Sequence, residues 1–406
     1  MVKFLQERRK KLFELLQEQE MAVIFAAEQN DSPIPFLQNN NFLYFTGLNT
    51  PGAILLFYRA KQQLITFLFI ERGIPEREVW DGKKMTIEEA AKLSGIEKVL
   101  YLDEFQRTLE FYLHITQKFY LNLDSHSLSD SIDRKHQLVE RIRLYYPEIV
   151  FSDVVALMRP LRSVKDEWEI EQLRKAIDVT GTGIKQIMSK ALPGMMEYEL
   201  EAILNYEALR KNLRHMGFKS IIAAGINAAT LHYISNDSRV EENDLVLLDV
   251  GAACNNYCAD ITRTFPISGK FTKRQREVYS EVLAIQKEII NMIKPGISLP
   301  ELNDRTITLI KEALIRLGLI KADGDYRKYY MHSVSHHLGM DAHDLGLRDS
   351  VLSSGNVITV EPGIYIPEEN IGVRIEDDIL VTVQGFENLS VNIPKEIDQL
   401  EEICRK

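Results

Sequence analysis

Apolar positions come in short runs over the first 150 residues and at helical spacing over much of the rest. Ala53–Tyr58 and Leu64–Ile70 are nearly continuous apolar runs, separated by the polar stretch Arg59–Gln63. Runs of this length predict buried strands and are too short to cross a bilayer. The opening MVKFLQERRKKLFELLQEQE spaces its apolar residues as an amphipathic surface helix does. It has neither the apolar stretch nor the small-residue cleavage site of a secretory signal. Helical spacing also covers Met85–Leu93 and Glu104–Gln117. Phe42–Phe45 is an aromatic cluster closed by Gly47, material for a core or for an interface. This pattern predicts a mixed α/β domain with its own core.

The pattern changes near Met158–Lys165. Pro160 is expected to break the chain, and KDEWEIEQLRKAIDVTGTGIKQIM then starts a long helix. Acids lie at its start and basic residues further along, as the helix dipole favours. The expected domains are 1–161 and 162–406.

The second domain contains a faint repeat. Ala191-Leu192-Pro193-Gly194 precedes Glu199-Leu200 and a helix, and Ile293-Lys294-Pro295-Gly296 precedes Glu301-Leu302 and a helix. Each copy then leads to an apolar strand with a carboxylate two residues before a glycine. These are Asp249 in Leu245–Gly251 and Glu361 in Val357–Gly363. A further acid-bearing strand follows each: Asp260 in Ala259–Phe265 and Glu376 in Val373–Val381. Two similar halves would thus deliver four carboxylates to a pseudo-twofold axis. A hairpin loop at Cys254-Asn255 would set Asp249 directly opposite Asp260; one at Asn255-Asn256 would set them diagonally. Acids in apolar strands are costly unless paired or metal-bound. Arg263 falls on the other strand face from Asp260, so a cation between the acids is the economical resolution.

Composition narrows the class. The 49 Lys and Arg against 59 Asp and Glu give a net charge of −10, which argues against a nucleic-acid partner. With 45% hydrophobic and 27% charged residues, global disorder and a disulfide scaffold are excluded. The three cysteines suggest a reducing, cytoplasmic setting. Cys254 and Cys258 lack the second pair that a structural zinc site would need.

Four of the nine histidines fall within Met331–Asp344: His332, His336, His337 and His343. Such a cluster beside acidic strands points to metal binding or catalysis. His337 is its weakest member and reads as packing or exposure. His114, His126 and His136 are scattered and read as surface or satisfied core histidines. Four carboxylates with a histidine suit two divalent ions such as Mn2+, Fe2+ or Co2+. Two such ions, roughly 3.5–4 Å apart, polarise a carbonyl and activate water, and the implied chemistry is hydrolysis.

The segments LLDVG, ADITRTFP, HSVSHHLGMDAHD, TVEPGIYI and GVRIEDD resemble the signature of the pita-bread metallopeptidases. The resemblance spans about residues 220–385 and implies a carboxy-terminal pita-bread catalytic domain. It also implies that Asp249, Asp260, His336, Glu361 and Glu376 hold two divalent ions, Mn2+ above Co2+, Fe2+ or Zn2+. Asp260 and Glu376 would bridge both; Asp249 would serve one ion, and His336 with Glu361 the other. His232, His332 and His343 resemble histidines that meet substrate. Arg374 would fix Glu376 or an adjacent acid, and Glu361 would take the proton of the attacking water. NFLYFTGLN and EVWDGK resemble the creatinase-like amino-terminal domain of aminopeptidase P. The resemblance therefore implies an Xaa-Pro aminopeptidase acting on peptides with penultimate proline. An Xaa-Pro dipeptidase (prolidase), which the connection PGIYIPEENIGVRI also resembles, is the alternative. A pita-bread binding protein without catalysis is disfavoured because all five ligand positions are intact. A homodimer or homotetramer is expected, with the amino-terminal domain near a partner's active-site mouth and with no membrane or nucleic-acid partner.

Overall fold

A computed structural model describes residues 1–29, 35–123, 132–322, 324–347 and 349–405. Two compact units emerge, Met1–Leu161 and Arg162–Lys406. Among the described residues, no helix is long and apolar enough to cross a membrane.

The first unit runs α1 (Val2–Leu15), β1 (Glu20–Phe25), α2 (Asn40–Thr46), β2 (Ile54–Arg59), β3 (Leu64–Ile70), α3 (Pro75–Asp81), α4 (Ile87–Ser94), β4 (Val99–Tyr101), α5 (Phe105–Leu113), β5 (Lys118–Leu121), α6 (Arg134–Tyr145) and β6 (Val150–Asp153). Helix α7 (Val155–Ser163) leads into the second unit. The six strands form one sheet in the order β4-β3-β2-β1-β5-β6. Strand β1 pairs antiparallel with β2 and parallel with β5, so the sheet is mixed. The aromatic cluster lies on α2. Asn39 caps that helix by accepting the Phe42 N–H, and Gly47 ends it in the left-handed conformation. Phe42, Tyr44 and Phe45 are at most 1% exposed, and Phe45 packs edge-on to Phe57. The cluster therefore serves the core of its own unit. His136 bonds Asp133 and His114 approaches Tyr146; His126 lies outside the described residues.

Pro160 does not break the chain but sits inside α7. Proline in a helix interior costs about 3 kcal/mol. Burial of Leu157, Met158 and Leu161, each contributing about 1.5–3 kcal/mol, offsets that cost.

The second unit runs α8 (Glu167–Lys190), α9 (Glu197–Arg210), β7 (His215–Met216), β8 (Ile221–Ala224), β9 (Leu245–Val250), β10 (Ala252–Cys254), β11 (Tyr257–Cys258), β12 (Ile261–Pro266), α10 (Lys273–Met292), α11 (Leu299–Arg316), β13 (Val357–Val360), β14 (Gly363–Ile366), β15 (Ile371–Arg374), β16 (Asp377–Thr382), β17 (Gly385–Asn388) and α12 (Ile397–Ile403). The repeated Pro-Gly…Glu spacing has a structural cause in both copies. Gly194 and Gly296 take φ near +90°, which glycine adopts without strain. Glu199 then accepts the Met196 N–H at 2.7 Å, and Glu301 accepts the Ser298 N–H at 2.8 Å. The repeat is thus a turn followed by a capped helix start.

Each copy ends in a long bent hairpin. In the first, Asn255 and Asn256 occupy the turn, both at positive φ. Pairing runs from Cys254↔Tyr257 out to Leu245↔Pro266. In the second, pairing runs from Ile366↔Ile371 to Val357↔Leu380 in one register. The hairpins join where the Glu376 N–H donates to the Thr262 carbonyl and the Asp260 N–H donates to Asp378 Oδ2.

Candidate active site

Register decides which acids meet. Asp249 pairs with Thr262, so it is diagonal to Asp260 on the same face, the outcome of the Asn255-Asn256 turn. In the second hairpin, Val360↔Asp377 and Gly363↔Arg374 flank the position and set Glu361 across from Glu376. Glu376 is not within a continuous strand as expected. It lies at the break between β15 and β16, because its N–H turns to the Thr262 carbonyl of the other hairpin.

Ligand atoms of Asp260, His336 and Glu376 all lie within 4.8 Å of one another. His336 Nε2 is 3.6 Å from Asp260 Oδ2 and 3.4 Å from Glu361 Oε1. Among the described residues, no lysine or arginine forms an ion pair with Asp260, Glu361 or Glu376. Burial, then Glu376 and Asp249, push the Asp260 carboxyl well above its ordinary range. Burial, then Glu361 and Asp249, do the same to Glu376. Burial is also the main cause at Glu361, pushed up to about 8 against the opposing Arg374.

Asp249 differs, because Arg374 Nη2 donates to its Oδ2 at 2.6 Å. Its Oδ1 is buried and has no hydrogen-bond partner among the described residues. Arg374 also donates from Nε to Thr262 Oγ1, which donates to Glu376 Oε2 at 2.6 Å. One guanidinium thus bonds Asp249 directly and reaches Glu376 through a threonine. Its third arm donates to the Tyr365 hydroxyl at 2.9 Å, and that hydroxyl lies 2.9 Å from His332 Nε2. Tyr365 was not singled out from sequence; it reads there as an ordinary strand aromatic.

The histidines separate by environment. His336 Nδ1 lies 3.1 Å from the His337 carbonyl. A carbonyl only accepts, so Nδ1 carries the proton and Nε2 turns a lone pair to the acids. Burial, with His343 adding, pushes the His336 imidazole down to about 4, and it is neutral at neutral pH. His332 has the same tautomer: Nδ1–H donates to the Ser333 carbonyl, and Nε2 accepts from Tyr365. Burial and then Arg374 push it down to about 4. The ring of exposed His343 lies 4.2 Å from that of His336. His232 is exposed and near enough for its charge to act on His332. His337 is buried and bonds Ser350 Oγ at 2.8 Å, away from the acids.

The unpartnered Asp249 oxygen, the proton-holding acids and the imidazole lone pair fit divalent cations. Asp249, Asp260, His336, Glu361 and Glu376 are the donors available for them.

The profile of metallopeptidase family M24 matches residues 171–383, and that of the aminopeptidase P amino-terminal domain matches residues 5–120. The chain is 35% identical to an Xaa-Pro aminopeptidase of Haemophilus influenzae, over 98% of this chain and 96% of that relative. A candidate aminopeptidase P from Bacillus anthracis has the same fold with a TM-score of 0.95 and 40% identity, covering 99% of this chain and 98% of that one. A zinc-substituted Escherichia coli aminopeptidase P in complex with product gives a TM-score of 0.91 at 32% identity, covering 100% and 99%.

Proposed function

The chain belongs to metallopeptidase family M24, and on that premise we propose that it is an Xaa-Pro aminopeptidase. It removes the first residue of peptides whose second residue is proline. The observation that carries the reading is the cluster of Asp260, Glu361 and Glu376 with His336, in which no lysine or arginine among the described residues forms an ion pair with the acids. Residues 1–161 act as the aminopeptidase P-type amino-terminal domain and 162–406 as the catalytic domain.

Asp249, Asp260, His336, Glu361 and Glu376 hold two divalent ions, Mn2+ by preference. When bound, the ions polarise the scissile carbonyl and lower the pKa of water. Glu361 takes the proton of the attacking water. Arg374 keeps Asp249 in place and, through Tyr365, orients His332. His232, His332 and His343 receive the peptide and steady the charge that develops on its carbonyl oxygen. The working protein is a cytoplasmic homodimer or homotetramer, with the amino-terminal domain limiting entry to peptide ends.

The test is metal analysis combined with assays of Gly-Pro and of a tripeptide with central proline. Chelation abolishes hydrolysis and Mn2+ restores it, and the tripeptide loses its first residue. Cleavage of Gly-Pro with the tripeptide left intact makes the protein a dipeptidase instead.

A further inference from the structure

The loop that carries His232 is gathered around a buried carboxylate outside the acid cluster. Glu197 opens α9 and is 0% exposed. Among the described residues, no lysine or arginine forms an ion pair with it. Its Oε1 accepts the Ala224 N–H at 2.8 Å and Asn227 Nδ2 at 3.1 Å. Its Oε2 accepts the Tyr233 hydroxyl at 2.7 Å and the Ser238 N–H at 2.9 Å. A carboxylate has about four lone-pair sites, so these donors saturate it. Hydrogen bonds to a charged acceptor are roughly twice as strong as neutral ones, which is how this acid is kept buried without a cation. In return, four points between residues 224 and 238 are tied to one side chain.

The surroundings stiffen the same loop. The Glu197 N–H donates to the Ser238 carbonyl at 3.0 Å. One helical turn on, Glu201 Oε2 accepts from Asn236 Nδ2 at 2.9 Å. From the opposite side, the 3-10 turn Gly225–Ala229 rests on β15. A Cβ on Gly372 would lie 2.0 Å from the Ala228 carbonyl oxygen, so only glycine permits that approach. Two residues further along β15 is Arg374. His232 lies between Asn227 and Tyr233, two of the tied points.

We propose that Glu197 is a positioning residue for the reaction: by drawing in residues 224–238 it fixes His232 relative to His332 and the acid cluster. This rests on the reading above, in which His232 meets the peptide. Glu197→Gln keeps the volume but puts an amide NH2 where donors arrive. Tyr233→Phe keeps the ring and removes one donor; it decides the matter if Glu197→Gln does not fold. Each is made alone and with His232→Ala, and kcat, KM and metal content are measured with a proline tripeptide. The expected result is unchanged metal content and kcat/KM lower by about tenfold or more, as for residues that orient a working group. In the His232→Ala background the same substitutions should add no further loss. An equal loss in both backgrounds, loss of metal from Tyr233→Phe, or no loss at all overturns the proposal. A silent His232→Ala overturns it too, while proline-peptide cleavage by the parent protein would leave the peptidase reading standing.

Discussion

Glu376 and Asp377 are consecutive in the chain and both are buried, yet they face different surroundings. Glu376 lies among acids, and burial with Glu361 and Asp249 holds its carboxyl well above the ordinary range. On the other face of the chain, Asp377 accepts from Arg263 Nη2 at 2.7 Å and Asn388 Nδ2 at 2.7 Å and pairs with Lys395. Burial pushes Asp377 up, but Arg263 and Lys395 outweigh it and hold the carboxyl below the usual range. Asp344 repeats the second arrangement, bonded by Arg162 and Lys165 and likewise held low. At Asp377 and Asp344 this chain supplies its own cations. Where Asp260, Glu361 and Glu376 meet, no lysine or arginine among the described residues forms an ion pair with them, and Arg374 opposes the rise at Glu361 and Glu376 without reversing it.

The sharpest way to break that contrast is to remove one acid from each side. Changing a residue that only orients a ligand costs about 10–100-fold, so Glu376→Gln should cost more than about 10²-fold in kcat/KM and deplete bound metal. Melting of the chelated protein should be unchanged or higher in temperature, because one of several repelling acids is gone. Full metal content and activity in this variant would remove Glu376 from the site. Asp377→Asn should do the opposite. Leaving Arg263 and Lys395 buried with their charge uncompensated costs about 3–5 kcal/mol, read from denaturant unfolding, while the folded fraction keeps its metal. Metal loss at unchanged stability would erase the distinction.

A smaller effect appears with pH. In the unfolded chain Glu361 loses its proton near 4.5, whereas in the folded, metal-free protein it keeps it to about 8. A raised carboxyl contributes stability that is present at low pH and lost as pH rises through the folded value. His332, His336 and His337, pushed down to about 4, are neutral in the folded state, but in the unfolded chain they are still partly protonated at pH 7, so they oppose the trend until about pH 7.5. Between about pH 7.5 and pH 9 the chelated protein should therefore lose Tm. Protein saturated with Mn2+, whose ligands must already be deprotonated, should lose less. A gap between the two that stays constant over this range would count against an acid cluster built for cations.

The four acids stood out in the sequence because a carboxylate before a glycine in an apolar strand is costly in two places at once. Their meeting was harder to read, since one residue of loop placement separates facing from diagonal pairs. The signal that decides it is modest: asparagine tolerates positive φ better than most residues, and the turn uses Asn255 and Asn256. The break before β16 was hidden because it depends on the Thr262 carbonyl, more than a hundred residues away. Glu197 is hidden for a similar reason, whereas Tyr365, whose partners Arg374 and His332 lie 9 and 33 residues away, reads in the sequence as an ordinary strand aromatic. Nothing near Glu197 in sequence marks it, since its donors lie 27 to 41 residues later. Pro160 stays inside α7 because the burial of its neighbours outweighs its local propensity, and that burial is not visible in the local sequence.

The Asn255–Asn256 turn also sets a rule about length. Pairing keeps one register from that tip to Thr262 and beyond, and successive residues point to opposite faces. One residue inserted at the tip, unless bulged out, would slip the frame and turn Asp260 away from Asp249. Two residues would lengthen the tip and leave every pair below it intact. A small surface turn thus behaves like a reading frame, in which variants of this hairpin that keep the acids together differ in length by even numbers.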